Sequence, residues 1–172
     1  APALLTVLAL FVYPLGYYGH LEIPAGEGTK RIKIRRVHLE EDTGKLLHLP
    51  SGGSGVDYNR AGVPLMEIVT DFPPDISTPD EAREYLVQLR QILVYLDICD
   101  GKMEEGSLRC EPNISVREAG SEVYGTKSEL KNLNSFRSVQ LGVAFETRRQ
   151  IAVIESGGKV LQETRGWNDA SE

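Results

Sequence analysis

The sequence predicts an α+β fold: a mostly antiparallel sheet with packed helices. Three observations lead there. Several stretches alternate apolar and polar residues with a period of two, two longer stretches repeat apolar residues at helical spacing between cap signals, and short turns join several of the strands.

In chain order, the first stretch is APALLTVLALFVYPLG. Its apolar run is too short to cross a bilayer and lacks the basic flank of a signal peptide. It reads either as a buried strand or as a truncation artefact. KRIKIRRVHLEED is a strand with Ile32 and Ile34 on one face, after which Val37 and Leu39 take up the apolar role with opposite parity. That slip predicts a bulge near Arg35 and Arg36, with His38, Glu40 and Asp42 sharing the polar face beyond it. PSGGSG, Pro50 to Gly55, is expected to be a flexible connection, and VPLMEIVTD a well-covered strand beginning at Pro64.

STPDEAREYLVQLRQILVYLDI is the clearest helix. Thr78 and Glu81 make a capping box, Pro79 takes the first helical position, and Ala82, Tyr85, Leu86, Leu89, Leu93 and Leu96 form one stripe. A second helix is expected from Asn134 or Ser135 to Glu155, with the stripe Phe136, Val139, Val143, Ile151 and Ile154, ended by Gly157 or Gly158. SGGK at Ser156–Lys159 lacks the upstream glycine and following Ser/Thr of a phosphate loop and reads as a helix end. KVLQETR follows as a short strand.

With 172 residues, 41% hydrophobic and 26% charged, the chain suits one globular domain or a large piece of one. A net charge of −6 argues against nonspecific phosphate-backbone binding as the main role, although Lys30 to Arg36 is a local basic patch. Cys99 and Cys110 have neither zinc spacing nor the density of a disulfide scaffold, so they read as structural thiols in a reducing compartment.

The chemistry concentrates in KMEEGSLRCEPNISVREAGSEVYGTKSELKNLNSF, Lys102 to Phe136. From Leu108 to Arg117 the even positions Leu108, Cys110, Ile114 and Val116 are apolar, while Arg109, Glu111, Asn113, Ser115 and Arg117 face the other way. The return arm TKSELKN sets Lys127, Glu129 and Lys131 on one face. If the turn is centred on Gly120, Glu111 faces Glu129 directly, whereas a register shifted by one separates them; directly opposed carboxylates cost stability unless a cation or a protonation event compensates. Oxygen donors without clustered histidine or cysteine favour a hard divalent ion. The plainer alternative stays open: Arg109, Lys127 and Lys131 neutralise Glu111 and Glu129 as surface ion pairs, and the acidic end of HLEED is a solvated face.

VDYNRAGVPLMEIVTD, KMEEGSLRCEPNISVR and SELKNLNSFRSVQ, in that order, resemble the B subunit of the aspartyl/glutamyl-tRNA(Asn/Gln) amidotransferase (GatCAB), over about Gly19 to Arg165. The D-x-N-R-x-x-x-P-L-x-E block stands here at Asp57 to Glu67. The resemblance implies a catalytic cradle domain over residues 19–172, incomplete, with residues 1–18 not matching the family. It implies ATP-dependent phosphorylation of the Glu or Asp side chain on misacylated tRNA, then amidation with ammonia. ATP and Mg²⁺ (or Mn²⁺) are the implied cofactors. The amidase subunit (GatA), the small subunit (GatC) and misacylated tRNA are the implied partners, in the cytoplasm or an organelle.

Carried over from the family's blocks, the metal ligands are Glu40, Glu41, Glu104, Glu105, Glu111 and Glu129, with Glu111 where the family usually has Asp. Catalysis falls to Glu105, Glu129 and Lys131, and ATP contacts to Arg109 and Lys127. The fragment alone is expected to be inactive. Two other classes compete with this reading: a noncatalytic scaffold for the amidase subunit and tRNA, and an acidic cation-binding module.

Overall fold

The structure, a computed structural model, describes residues 13–171. The chain divides into two compact units. One holds the described residues up to Leu21 together with Arg31–Asp75, and the other holds Glu22–Lys30 and the chain from Ile76 onward. The α+β expectation holds, with eight strands and two α-helices among the described residues. Most of the amino-terminal run lies outside the described residues. Its described end, Tyr13 and Leu15, is exposed, although the Leu15 N–H donates to the Val37 carbonyl.

Strands β1 (Gly16–Ala25), β2 (Gly28–Glu41) and β5 (Pro64–Thr70) form a sheet in the order β1-β2-β5. The β2–β5 register slips between Ile34 and Arg36, which is the expected bulge. In that register Val37 and Leu39 do follow Ile34 onto one face, but burial takes the other side. His38 is 4% exposed and Leu39 41%. His38 shares its side of the strand with Glu40 as expected, and that side is covered at His38: alternation tells which side chains share a face, while packing decides which face is covered. Strands β3 (Lys45–His48) and β4 (Ser54–Asp57) form an unforeseen hairpin, and PSGGSG supplies its turn, with Gly52 and Gly53 at φ +82° and +91°. LLHL does not alternate, so no strand signal preceded it.

In the second unit, helix α1 (Pro79–Tyr95) begins as expected, with the Glu81 N–H donating to Thr78 Oγ1 at 3.1 Å. The return arm of the box shifts by one residue: Glu81 accepts from the Ser77 N–H at 2.8 Å and from Lys30 Nζ at 2.9 Å. Burial works to raise the Glu81 carboxyl, but Lys30 and Ser77 outweigh it and hold it below the usual glutamate range. Thr78→Ala is expected to cost about 1 kcal/mol of stability without touching chemistry, which chemical denaturation would measure. Ala82, Tyr85, Leu86, Leu89 and Leu93 are buried as the spacing predicts. Leu96 is not; it is the C-cap and 58% exposed.

Helix α2 (Phe136–Glu155) is capped by Ser135 and followed by Gly157 at φ +78°. Its boundaries match the expectation, but its buried face does not. Ser138, Val139, Gly142, Glu146 and Gln150 are buried, whereas Ile151 and Ile154 are exposed. A Cβ on Gly142 would stand 3.1 Å from Leu133 and 3.2 Å from Leu130, so the missing side chain lets α2 lie close on the strand below.

That strand is β7 (Ser128–Lys131), flanked by β6 (Asn113–Ile114) and β8 (Thr164–Gly166). The expected ten-residue arm shrinks to two laddered residues, and the final strand to three, paired in parallel with β7. Helix α2 is tied to all three strands by polar groups. Glu146, with no solvent exposure, binds Arg149 at 2.7 Å and Arg165 of β8 at 3.4 Å. Gln150 donates to the Ile114 carbonyl of β6 at 3.0 Å and to Glu146 at 2.8 Å, and Arg149 reaches Ser128 of β7 at 3.5 Å. No described helix is long and apolar enough to cross a membrane.

Candidate functional site

A cavity of about 380 Å³ opens in the second unit, with Glu104, Glu105, Arg109, Glu111, Lys131 and Asn132 on its polar wall and Met103 and Leu133 on its floor. Three segments build it. The first is a turn at Met103–Ser107, where the N–H groups of Gly106 and Ser107 donate to the carbonyls of Met103 and Lys102. Arg90 of α1 anchors this turn by donating to the Gly101 carbonyl at 2.9 Å, and Met103 is buried beneath it. Glu104 and Glu105 are thereby left pointing outward. Glu105 meets Lys102 Nζ at 2.9 Å, and that carboxylate is the main reason the Lys102 ammonium is held above its ordinary range.

The second segment is the extended run from Ser107 to Arg117. Burial alternates along it as parity predicts, with Arg109 and Glu111 exposed and Leu108 and Cys110 half-buried, although few of these residues are in a ladder. Burial, assisted by the Glu111 charge, pushes the Cys110 thiol up to about 12. A thiol that stays protonated fits a structural role, and both cysteines are free. The third segment is β7 and the residue after it. Ser128 and Leu130 are buried, Glu129 and Lys131 lie on the other face, and Asn132 takes a left-handed φ of +63°.

The direct opposition of Glu111 and Glu129 is corrected. Glu129 is paired with Asn113, so Glu111 lies two residues along on the same face. The turn is not a tight hairpin centred on Gly120: the chain from Ser115 to Lys127 is a longer loop, in which a side chain on Gly125 would run into the Val116 carbonyl. The cation required by the two carboxylates is nevertheless there. Lys131 Nζ stands 3.4 Å from Glu111 and 3.9 Å from Glu129.

Lys127 and Glu129 do not line the cavity, although Glu129 stands 3.9 Å from Lys131, which does. Lys127 precedes β7 and is exposed; Glu129 projects from β7 beside Thr164. Glu40 and Glu41 belong to the first unit, at the exposed end of β2 opposite Leu65 and Pro64. Among the described residues, no three His, Cys, Asp or Glu side chains gather closely enough to hold one ion. Sequence reasoning missed Asn132, whose signal was its type, since Asn tolerates the left-handed turn that closes β7. It also missed Thr164, which donates to Glu129 at 2.9 Å.

Residues 8–172 match the family described as the GatB/GatE catalytic domain. The chain belongs to that family. Among GatB-type relatives it is 59% identical over 157 residues to the B subunit of the aspartyl/glutamyl-tRNA(Asn/Gln) amidotransferase of Caldanaerobacter subterraneus subsp. tengcongensis, a match covering 91% of this chain and 33% of the relative. It is 54% identical over 166 residues to the corresponding protein of Brevibacillus brevis, covering 96% and 34%, and 55% identical over 158 residues to that of a Roseiflexus species, covering 92% and 32%. The chain thus spans about a third of the length of the curated relatives it matches. The GatB/GatE match begins at residue 8, inside the stretch read as non-matching.

Proposed function

We propose that this chain is catalytic-domain sequence of the B subunit of a tRNA-dependent amidotransferase. In the complete cytoplasmic complex, with amidase and small subunits, the side-chain carboxylate of Glu or Asp on misacylated tRNA attacks the γ-phosphorus of ATP and ADP departs. Ammonia then adds to the activated carbonyl carbon, and phosphate leaves as the amide forms. The observation that carries this reading is one small cavity, in a member of this family, that joins Glu104, Glu105 and Glu111 to Arg109 and Lys131.

The donor set suits Mg²⁺. That ion commonly takes one or two carboxylates, with waters and nucleotide phosphates completing its octahedron, so carboxylates spread along a wall serve it better than a closed cage would. Glu105 and Glu129, with Glu104 or Glu111, would hold it in the second unit, directly or through its waters, and it would neutralise phosphate charge. Arg109 would bind nucleotide phosphates and Lys131 would stabilise charge on the transferring phosphoryl group. Asn132 supplies amide donors and acceptors that orient the acceptor carboxylate.

A second reading is favoured by the ion pairs themselves: Lys131 already answers Glu111 and Glu129, and Lys102 answers Glu105, as in an acidic docking face of a scaffold. Transfer of label from γ-labelled ATP to misacylated tRNA, with glutamine and ammonia withheld, tests the two. Label on the aminoacyl group is expected. A complex that binds tRNA yet transfers no label would return the cavity to the scaffold reading.

A further inference from the structure

Resting on the proposed site, we infer that Thr164 is a positioning residue for Glu129. The two residues are register partners in the parallel β7–β8 pair, and the Thr164 hydroxyl donates to Glu129 Oε2 at 2.9 Å. Lys131 Nζ approaches that same oxygen at 3.9 Å. One carboxylate oxygen is thus committed to protein donors, and Oε1 is the atom left to meet a ligand.

The donor is itself held. The Glu129 N–H donates to the Glu163 carbonyl at 3.0 Å and the Trp167 N–H to the Lys131 carbonyl at 2.9 Å, so β8 is fastened to β7 on both sides of Thr164. Arg165, the next residue, is fixed to the buried Glu146 at 3.4 Å. A β-branched residue on such a strand has few rotamers, so its hydroxyl stays aimed. Glu129 is otherwise a flexible, partly exposed side chain. Fixing it beforehand removes ordering that ligand binding would have to impose, as hydrogen-bonding partners behind metal-binding carboxylates do.

The test is Mn²⁺ titration by electron paramagnetic resonance, with a non-hydrolysable ATP analogue present, on the complete subunit carrying Thr164→Val, Thr164→Ser or Glu129→Gln. Thr164→Val keeps the branch and loses the hydroxyl. It is expected to weaken Mn²⁺ binding ~10-fold, with an unchanged melting temperature, while Thr164→Ser restores binding. Unchanged Mn²⁺ affinity in Thr164→Val, beside weakened affinity in Glu129→Gln, would overturn the positioning role and leave the site standing. Unchanged affinity in Glu129→Gln would overturn the site reading and this inference with it. A lowered melting temperature that Thr164→Ser does not restore would show Thr164 to be structural only.

Discussion

Glu105→Gln in the complete subunit is expected to lower tRNA-dependent ATP hydrolysis and amide transfer together, by about 100-fold or more. On the proposed reading both depend on the same activated carboxylate, so losing a charge that organises phosphoryl transfer should stop them in step. Binding of tRNA should persist, because the change removes one charge from a cavity wall and no packing. The competing explanation is that Glu105 merely holds its turn through Lys102, 2.9 Å away. Lys102→Met separates the two: it breaks the same ion pair and is expected to leave ATP turnover within a few-fold of wild type, as exposed pairs contribute little. Equal losses in both variants would make Glu105 a turn-holding residue. A Glu105→Gln variant that hydrolyses ATP normally but no longer binds tRNA would favour the scaffold.

The second large effect falls on stability. Glu146→Leu is expected to cost about 3 kcal/mol, the low end for breaking a buried pair. The carboxylate is fully enclosed, but its partners Arg149 and Arg165 keep 22% and 37% side-chain exposure and recover water when it is removed. The pH dependence has a definite sign. Burial alone would raise the Glu146 carboxyl, but hydrogen bonds from Arg149 and Gln150 and the Arg149 charge hold it below the usual glutamate value. Its stabilisation is therefore complete above the unfolded-state pKa and is lost as pH falls through the lower folded-state value. Denaturant titrations from neutral pH downward should show an acid limb that Glu146→Gln flattens. A Leu variant that loses under about 1 kcal/mol would mean that the network contributes little.

These two residues mark what was legible and what was not. Glu105 was reached through the resemblance carried by KMEEGSLRCEPNISVR, and the alternation from Leu108 onward announced which side chains share a face. Glu146 was invisible. At helical spacing it lies among Val139, Val143 and Gln150, and a charged residue on that line reads as solvated until Arg165, from a strand nineteen positions later, is seen beside it. The same blindness misassigned Ile151 and Ile154, whose spacing is apolar but whose face has no cover in the described structure.

Local chemistry in the sequence determined the caps at Thr78 and Ser135, the bulge at Ile34–Arg36, the start of β5 at Pro64 and the outward set Arg109, Glu111, Glu129 and Lys131. Each depends on residues a few positions apart, where backbone geometry fixes the outcome. Tertiary structure alone decided that Glu129 pairs with Asn113 and leans on Thr164, that Lys131 bridges Glu111 and Glu129, and that His38 is covered while Leu39 is open. Period-two and period-3.6 patterns say which side chains travel together. Which face is covered, which register a long loop permits and which distant cation answers a buried carboxylate are set by contacts between segments, and those appear only once the segments pack.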